Sequence, residues 1–406
     1  VEKLHIVFFD HNDRTALLPL SYTRPVSSLR VGIETIEDKW MRLLKADSRA
    51  WYTADYLQEL FPYSSTSNTI LINGSIIPDE ELAQALLAVE PGCGLYADSE
   101  LIAFKTTELT RSELEQILAS GPGGVRTEAD SIARLKHCWD VFLLNGEEIC
   151  ADYHRMTARR VSAPLSGTNL LLGPAIDVFL EEGVVAEGAT FNTTDGPIYL
   201  GKGAKVMEGA MIRGPFAMCE KSVVKMGARI YGGSTFGPHS KVGGEVSNVV
   251  FQGYSNKGHE GYLGNAVLGE WCNLGADSNN SNLKNNYGLI KAWCYADKPR
   301  YIDTGLQFCG LIMGDHSKCG INTMFNTATV VGVSANIYGP GFPSKFIPSY
   351  TWGAVEQNYT YKFEKAMETA ELVMARRSLD LSAEEKRMLQ KVFELSAPFR
   401  KWEKSS

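Results

Sequence analysis

From Leu200 onward an apolar residue returns at every sixth position, at Leu200, Val206, Ile212, Met218, Val224, Ile230, Phe236 and Val242. A period of six is neither the 3.6 of a helix nor the 2 of an alternating strand. It fits a triangular coil, in which each hexapeptide supplies one short strand and one corner, and three of them close a turn of about 18 residues. The recurring apolar residue points inward and stacks on its equivalents in the coils above and below. Small residues lie between, as in Leu200-Gly201-Lys202-Gly203-Ala204-Lys205, where tight corners need positive φ or close approach. One coil cannot bury its own face, so coils must stack. A sandwich of short strands would instead space them at roughly 8–12 residues with irregular phase. The phase breaks near Asn248, resumes at Tyr262, Leu268 and Leu274, breaks again, and returns at Met313, Cys319, Phe325, Val331 and Ile337. The pattern predicts a left-handed parallel β-helix across 166–350, with 248–261 and 279–305 thrown out of the coils as loops. Insertions of this kind gather on one face and often carry binding function.

The first 165 residues follow other rules. Leu4-His5-Ile6-Val7-Phe8-Phe9 and Thr69-Ile70-Leu71-Ile72 are continuous apolar runs, suited to strands buried on both faces. Helical stretches at 34–46 and 79–88 alternate with them. The alternation predicts an α/β domain with a largely parallel sheet over 1–165, and 162–167 reads as a linker. Past 350 the six-residue period gives way to helical spacing at Phe363, Met367, Ala370 and Val373. Ser382, with Glu385 three residues on, marks the start of a second helix. Residues 351–406 are therefore expected to form a helical extension that caps the last coil.

The formal charge of −7 over 406 residues, with no basic arm, argues against a nucleic-acid partner. A small anionic substrate remains compatible, since a pocket can be basic on an acidic protein. The eight cysteines form no CxxC and no zinc or disulfide spacing, so reduced, buried thiols are expected. The opening apolar run is short and ends at Asp10, unlike a signal peptide. No stretch nears the ~18 apolar residues of a membrane span. The expectation is a cytoplasmic protein without a membrane partner.

The second half carries a specific motif. The segment Lys257-Gly258-His259-Glu260-Gly261-Tyr262-Leu263-Gly264-Asn265-Ala266-Val267-Leu268-Gly269 continues through Cys272-Asn273-Leu274-Gly275-Ala276, and Gly214-Pro215-Phe216-Ala217 lies upstream. These resemble the G-H-x-x-Y-[LIV]-G-D-A-x-[IL]-G, N-[IL]-G-A-G and G-P-F-A motifs of the bifunctional N-acetylglucosamine-1-phosphate uridyltransferase/glucosamine-1-phosphate acetyltransferase family. The resemblance implies a divergent nucleotidyltransferase-like α/β domain joined to an acyltransferase β-helix that uses acetyl-CoA, in a homotrimer. It implies that His259 is the general base, that Tyr262 and Asn273 contact an acceptor sugar phosphate, and that Ala276 lines the acetyl-CoA site. For the family's following Asn-Tyr pair, Asn286-Tyr287 is the literal match and Asn282 a rival. A histidine suits the base role because its pKa lies near neutrality. An ordinary surface histidine is the competing reading.

The departures from the family are as informative. Met218 stands where the family has an arginine for the acceptor phosphate, and Ser247 where a lysine is expected, so either the acceptor differs or other residues such as Lys225, Arg229 or Lys257 supply that charge. At the N-terminus the glycine-rich phosphate loop is missing. The first strand runs into Asp10-His11-Asn12-Asp13-Arg14-Thr15-Ala16-Leu17-Leu18-Pro19-Leu20, without glycine. Arg24 and Arg30 follow as candidate phosphate contacts, against surface ion pairing. Asp10 and Asp13 are candidates for a nucleotide-bound Mg²⁺, against a strand-end turn. Asn73-Gly74-Ser75 lacks the family's metal-binding Asp. The domain could thus be catalytic, or a binding or regulatory module on a single-activity acyltransferase or scaffold. The reverse assignment, a nucleotidyltransferase with a non-catalytic β-helix, also stands. His239 and His316 lie 20 and 57 residues from His259, too far for one-coil zinc spacing, and no resident metal site is expected.

Overall fold

The computed structural model describes residues 3–97, 100–121, 126–128, 132–296 and 298–404. The chain divides into two compact units. One comprises 1–17, 23–29 and 34–137, the other 18–22, 30–33 and 138–406.

The first unit is built on a sheet of β1 (His5–Phe9), β2 (Ser48–Tyr52), β3 (Thr69–Asn73), β4 (Gly94–Ala97), β5 (Glu100–Thr106) and β6 (Arg126–Glu128), ordered β2-β1-β3-β5-β4-β6. Both apolar runs become strands buried along their whole length, as their lack of alternation requires. Helix α1 (Ile36–Leu44) starts at Thr35, whose hydroxyl accepts from Asp38 N, α2 (Glu80–Ala88) at Asp79, which accepts from Leu82 N, and α3 (Arg111–Ser120) at Thr110, which accepts from Glu113 N. The sheet is largely parallel, as expected, with one reversed strand. β2, β1, β3, β4 and β6 run in one direction, and β5 runs against its neighbours β3 and β4. The short connection from β4 to β5 is the reason: a two-residue link can join antiparallel neighbours, whereas a parallel pair needs a crossover of about a dozen residues.

In the second unit, stacked coils run from Leu170 to Ala354 as a parallel solenoid. The eight apolar residues from Leu200 to Val242 are all buried inside it. Successive coils pair residue on residue, for example Lys205 with Val223 and Val223 with Lys241. Phe216, Phe236 and Phe251 illustrate the inward stacking, with ring centroids 5.3 and 5.5 Å apart.

The first interruption is not an extruded loop. Glu245–Gly253 and Asn256–Lys257 are strands within the coils. Paired residues that are 18 apart from Val223 to Lys241 are only 15 apart from Lys241 to Asn256. Shortened corners shift the phase while the coil stays in the stack. The inward residue after this shift is Leu263, and Tyr262 is half-buried beside it. The second interruption does leave the solenoid, but later than 279. Asn279–Asn280 still pairs with Met324–Phe325. The excursion departs after Asn282 and returns at Cys309, whose N–H donates to Asn282 O at 2.9 Å. It contains the antiparallel hairpin Lys291–Cys294/Arg300–Asp303.

One corner of the solenoid stacks rings. His239, Tyr254, Trp271 and His316 all have positive φ, and their planes lie within 7 to 17° of one another at centroid separations of 4.9, 4.3 and 6.3 Å. Such φ values cost energy for residues with a Cβ; the ring-on-ring contact offsets part of it. His239 and His316 are thus separated by two aromatic residues.

Helix α4 (Asp140–Thr157) lies along the solenoid through a stripe that includes Val141, Phe142, Asn145, Ile149 and Tyr153. Asn145 Nδ2 donates to Gly233 O (2.8 Å) and Thr235 Oγ1 (3.0 Å). Residues 30–33 dock on the same unit. Arg30 N donates to Gln252 Oε1, Gly32 N to Asn145 Oδ1 and Ile33 N to Asp152 Oδ2. Residues 162–169 close the first coil, with Ala163 N donating to Leu180 O and Ala189 N to Asn169 Oδ1. The far end is closed by strand Asn358–Thr360, antiparallel to Thr351–Ala354, and by helices α5 (Phe363–Ala375) and α6 (Ala383–Ser396). Ser382 and Glu385 make the expected capping box. Tyr350 anchors this tail: its hydroxyl donates to Leu389 O, and its ring packs on Phe393 at 4.9 Å. All eight cysteines are free, and no helix of the described residues is long and apolar enough to cross a membrane.

The inward stack makes one residue diagnostic. Phe236→Ala leaves a cavity between two rings that are themselves fixed in register, so it should lower unfolding free energy by about 3–5 kcal/mol. A denaturant titration checks this, and a loss under 1 kcal/mol would mean the ladder is not the stabilising element.

Candidate functional site

The solenoid's interior is apolar at position after position, except where it meets the His259 corner. Lys241–Val242 pairs with Asn256–Lys257, so Lys257 occupies the inward position that Val206, Val224 and Val242 hold in earlier coils. It is 1% exposed. An ammonium cannot stay unpaired in such a place. Its Nζ turns to the corner and donates to Gly243 O (2.9 Å) and His259 O (3.0 Å). Burial lowers the Lys257 pKa to about 8. Gly244 makes room for this arrangement. Its φ is +71°, and a Cβ there would lie 2.7 Å from Lys257 Nζ and 2.9 Å from His259 O.

His259 itself sits on that corner with an exposed side chain. The next residue, Glu260, receives Arg229 NH2 at 2.9 Å, and Arg229 Nε lies 3.8 Å from Glu245. Asp277 N donates to Glu260 O (3.0 Å), and Asn322 N donates to Ala276 O (2.8 Å). The corners at His259–Glu260, Ala276–Asp277 and Asn322 therefore form one column, with Ala276 a single coil above His259.

An asparagine network flanks the column. Asn280 is the second polar residue at an inward position, in register with Phe325. Its amide accepts from Gly264 N (2.7 Å) and donates to Gly264 O (2.9 Å), which satisfies backbone groups in a buried place. Asn279 Oδ1 accepts from Tyr262 N at 2.7 Å. Asn282 Nδ2 donates to Tyr262 Oη (3.0 Å) and Asn265 Oδ1 (2.8 Å). Burial raises the Tyr262 pKa, so the phenol stays protonated. Asn273 is exposed on the neighbouring face, between Asn256 and Lys318 in register. Asn286 and Tyr287 lie out on the excursion, Tyr287 66% exposed, with Asn286 Oδ1 accepting from Gly288 N.

Of the sequence candidates, the structure gathers His259, Tyr262, Asn282 and Ala276 on adjacent corners and coils and places Asn286 and Tyr287 apart from them. Met218 is fully buried in the ladder between Leu200 and Phe236, a position where an unpaired arginine would be costly. Lys257 and Arg229 are committed to carbonyls and to acids respectively, and do not present free charge to an acceptor. The sequence does not single out Asn279 and Asn280 as parts of the site, and it offers Lys257 only as a possible source of charge for the acceptor, not as a residue turned into the ladder. Following the register through the shortened coil would have exposed Lys257 and Asn280 as polar residues in an apolar ladder.

In the first unit, the strand order β2-β1-β3 places a topological switch between β1 and β3, where ligands of open α/β sheets bind beyond the carboxyl ends. Asp10 and Asn73 mark those two ends. Asp10 Oδ1 accepts from Val26 N (2.9 Å), while Oδ2 meets Thr53 Oγ1 and lies 3.2 Å from Arg14 Nε. Burial raises the Asp10 pKa, opposed chiefly by Arg14. Asn73 Nδ2 is buried with no hydrogen-bond partner among the described residues. A nucleotide-bound Mg²⁺ needs carboxylate oxygens turned toward it, and those of Asp10 are engaged by protein donors. The Asp13 side chain lies outside the described residues, and among the described residues no three His, Cys, Asp or Glu groups gather as ligands. The residues seen at this crevice do not fit the metal. Arg24 is buried in the first unit. Arg30 belongs to the second, where its guanidinium reaches Ile33 O and Gln252 O.

The chain is a transferase of the sugar-related class: residues 6–161 match the family described as sugar nucleotidyl transferase. The parallel solenoid follows this domain in the chain. No curated protein matches the chain. Among solved structures, one titled "Activity and Crystal Structure of Arabidopsis UDP-N-acetylglucosamine acyltransferase" is similar at 12% identity and a TM-score of 0.21, covering 53% of this chain and 80% of that one.

Lys257 has a measurable signature. A lysine whose pKa is lower in the folded chain disfavours folding while both states are protonated, below about pH 8. That cost fades as pH rises toward the ordinary lysine value of about 10.4. Between these limits the wild type should gain about 1–3 kcal/mol relative to Lys257→Met. Parallel unfolding curves from pH 7 to pH 10.5 check this, and a constant difference would show that Lys257 does not titrate as placed.

Proposed function

We propose that the chain acts on a phosphorylated sugar, transferring an acyl group from acetyl-CoA at the solenoid, with His259 as general base. The observation that carries this reading is the His259 corner: an exposed imidazole on a backbone fixed by Lys257, one coil below Ala276 and flanked by the Tyr262–Asn282 pair. An amine or hydroxyl of the acceptor attacks the thioester carbonyl, and His259 takes the proton it releases. The tetrahedral oxyanion collapses, the carbon–sulfur bond breaks, and the CoA thiolate leaves and recovers the proton. Backbone N–H groups of neighbouring corners are suited to the oxyanion. Tyr262 and Asn273 hold the acceptor in this scheme.

His259→Ala should lower acyl transfer by roughly 10²- to 10⁴-fold and leave acetyl-CoA affinity and melting temperature nearly unchanged, because the side chain is exposed and opens no cavity. Turnover, CoA titration and thermal unfolding on one variant separate a base from a surface residue, which would leave the rate intact. They also separate it from a structural residue, which would lower stability. A broad acceptor screen with acetyl-CoA that gave neither turnover nor a CoA-dependent thermal shift would end the acyltransferase reading.

A homotrimer goes with this proposal. Leu170, Leu172, Met211 and Tyr231 are exposed on one side of the solenoid, around a groove of about 290 Å³ that includes Arg213 and Arg229. Arg229 also holds Glu260 of the His259 corner, so a second copy seated there would reach the site. Light scattering at micromolar concentration should give three times the chain mass, and a monomeric mass would overturn the assembly.

A second reading applies to the N-terminal domain, that it binds a nucleotide or sugar phosphate without nucleotidyl transfer. The engagement of Asp10 by Arg14, Thr53 and Val26 favours it, together with the absence of a glycine-rich phosphate loop. Pyrophosphate release from sugar 1-phosphate with each nucleoside triphosphate should be weak or absent. Robust Mg²⁺-dependent release would restore the catalytic reading.

A further inference from the structure

The C-terminal tail places cations where the solenoid already has them. Arg377 follows α5, and its guanidinium donates to His239 O (3.1 Å) and Asn256 Oδ1 (3.5 Å). Asn256 is the register partner of Lys241 on the next strand, so Arg377 lies alongside Lys241. Arg376 sits beside Arg377 at the end of the helix. Lys221 occupies the same corner as His239, one coil earlier, with φ values of 52 and 58°. Lys221, Lys241 and Arg376 are exposed, Arg377 half-buried. None of these four has an ion-pair partner among the described residues. The acids nearby are Glu220, 3.9 Å from His239 Nε2, and Glu270, which acts on the Tyr254 ring stacked on His239.

The mutual effects confirm how close these groups stand. The Lys241 pKa is lowered by burial, then by Arg377, Lys225 and Arg376. The His239 pKa is lowered by burial, then by Lys221 and Arg377. Like charges at such separations repel, and a chain of net charge −7 has many acids with which it could have compensated them. Three cations without an ion-pair partner around a guanidinium already fixed by two acceptors resemble an anion receptor more than a solvated face. Arginine forks match phosphate oxygens, and lysines add point charge. The overall negative charge disfavours a long polyanion, while a compact anion feels mainly the local field.

We propose that Lys221, Lys241, Arg376 and Arg377 form a binding site for a phosphate group at the junction of the C-terminal tail with the solenoid. Two of the cations belong to the tail and two to the coils, so the bound anion ties the tail to the solenoid and relieves the repulsion between them. The proposal does not depend on acyl transfer at the His259 corner. The phosphate can come from free inorganic phosphate or from a phosphorylated metabolite.

Thermal unfolding of the full chain with millimolar inorganic phosphate or glucose 1-phosphate, each against sodium chloride at equal ionic strength, tests the proposal. Phosphate should raise the melting temperature by about 2–4 °C above the chloride control. Lys241→Gln and Arg377→Gln should each remove most of that gain. Lys241 is exposed and holds no part of the tail, so its variant keeps the test decisive if Arg377→Gln loosens the tail. Histidine NMR supplies a readout that a structural role would not move: the His239 pKa should rise when phosphate is added and stay put in Lys241→Gln. A larger shift with the sugar phosphate assigns the source to a metabolite, and equal shifts assign it to free phosphate. Either result supports the site. An equal shift with chloride, or an undiminished phosphate shift in both variants, overturns it.

Discussion

Everything in the second unit depends on one contact repeated along its length, the packing of an inward side chain on its equivalents in the coils before and after. Parallel backbone pairing fixes which residues meet: Val206 lies under Val224, and Val224 under Val242. Full burial of each such side chain contributes about 1.5–3 kcal/mol. The ladder is strict in what it accepts on the inside and tolerant in how the chain reaches the next rung. Coils whose paired residues are 15 apart stack as well as those with 18, provided that an inward residue arrives at the right height. An excursion such as 283–308 can leave and return for the same reason, since its ends meet at Asn282 and Cys309.

That strictness gives the site its rigidity. Placing Lys257 and Asn280 inside the ladder costs the desolvation of an ammonium and an amide. Each recovers part of the cost by bonding carbonyls and N–H groups that a shortened corner would leave unpaired. Lys257 thereby fixes the backbone of His259, and Asn280 fixes Gly264 beneath Tyr262. A site built in this way sits on packed strands and not on a free loop, which is what positioning of a base requires. Natural chains tend to break their own folding rules where function demands it, and the two broken rungs lie beside the residues that the motif singles out.

The first unit shows a similar economy with a different outcome. β1 ends at a topological switch, the usual place for a ligand, yet the carboxylate at that end serves the fold. It joins Arg14, Thr53 and the N–H of Val26, which returns the segment after the first strand to the sheet. A carboxylate whose two oxygens already accept from the fold is less available to a metal ion.

The six-residue period settled the solenoid, its inward residues from Leu200 to Val242 and the existence of an excursion, because burial imposes that period directly on composition. The capping signal Ser382–Glu385 settled the start of α6 for a similarly local reason. The His259 segment stands out in the sequence as unusual residues at fixed spacing, and its role is what the proposal tests. Other features only the tertiary structure could decide. Whether the break near Asn248 is a loop or a short coil depends on which residues pair across coils, and the sequence does not state its partners. The inward turn of Lys257 follows from that pairing, as does the choice of Leu263 over Tyr262. The direction of β5 and the engagement of Asp10 rest on contacts between segments far apart in sequence. The meeting of Arg377 with His239, Asn256 and Lys241 does too, because no local pattern records where a helical tail comes to rest.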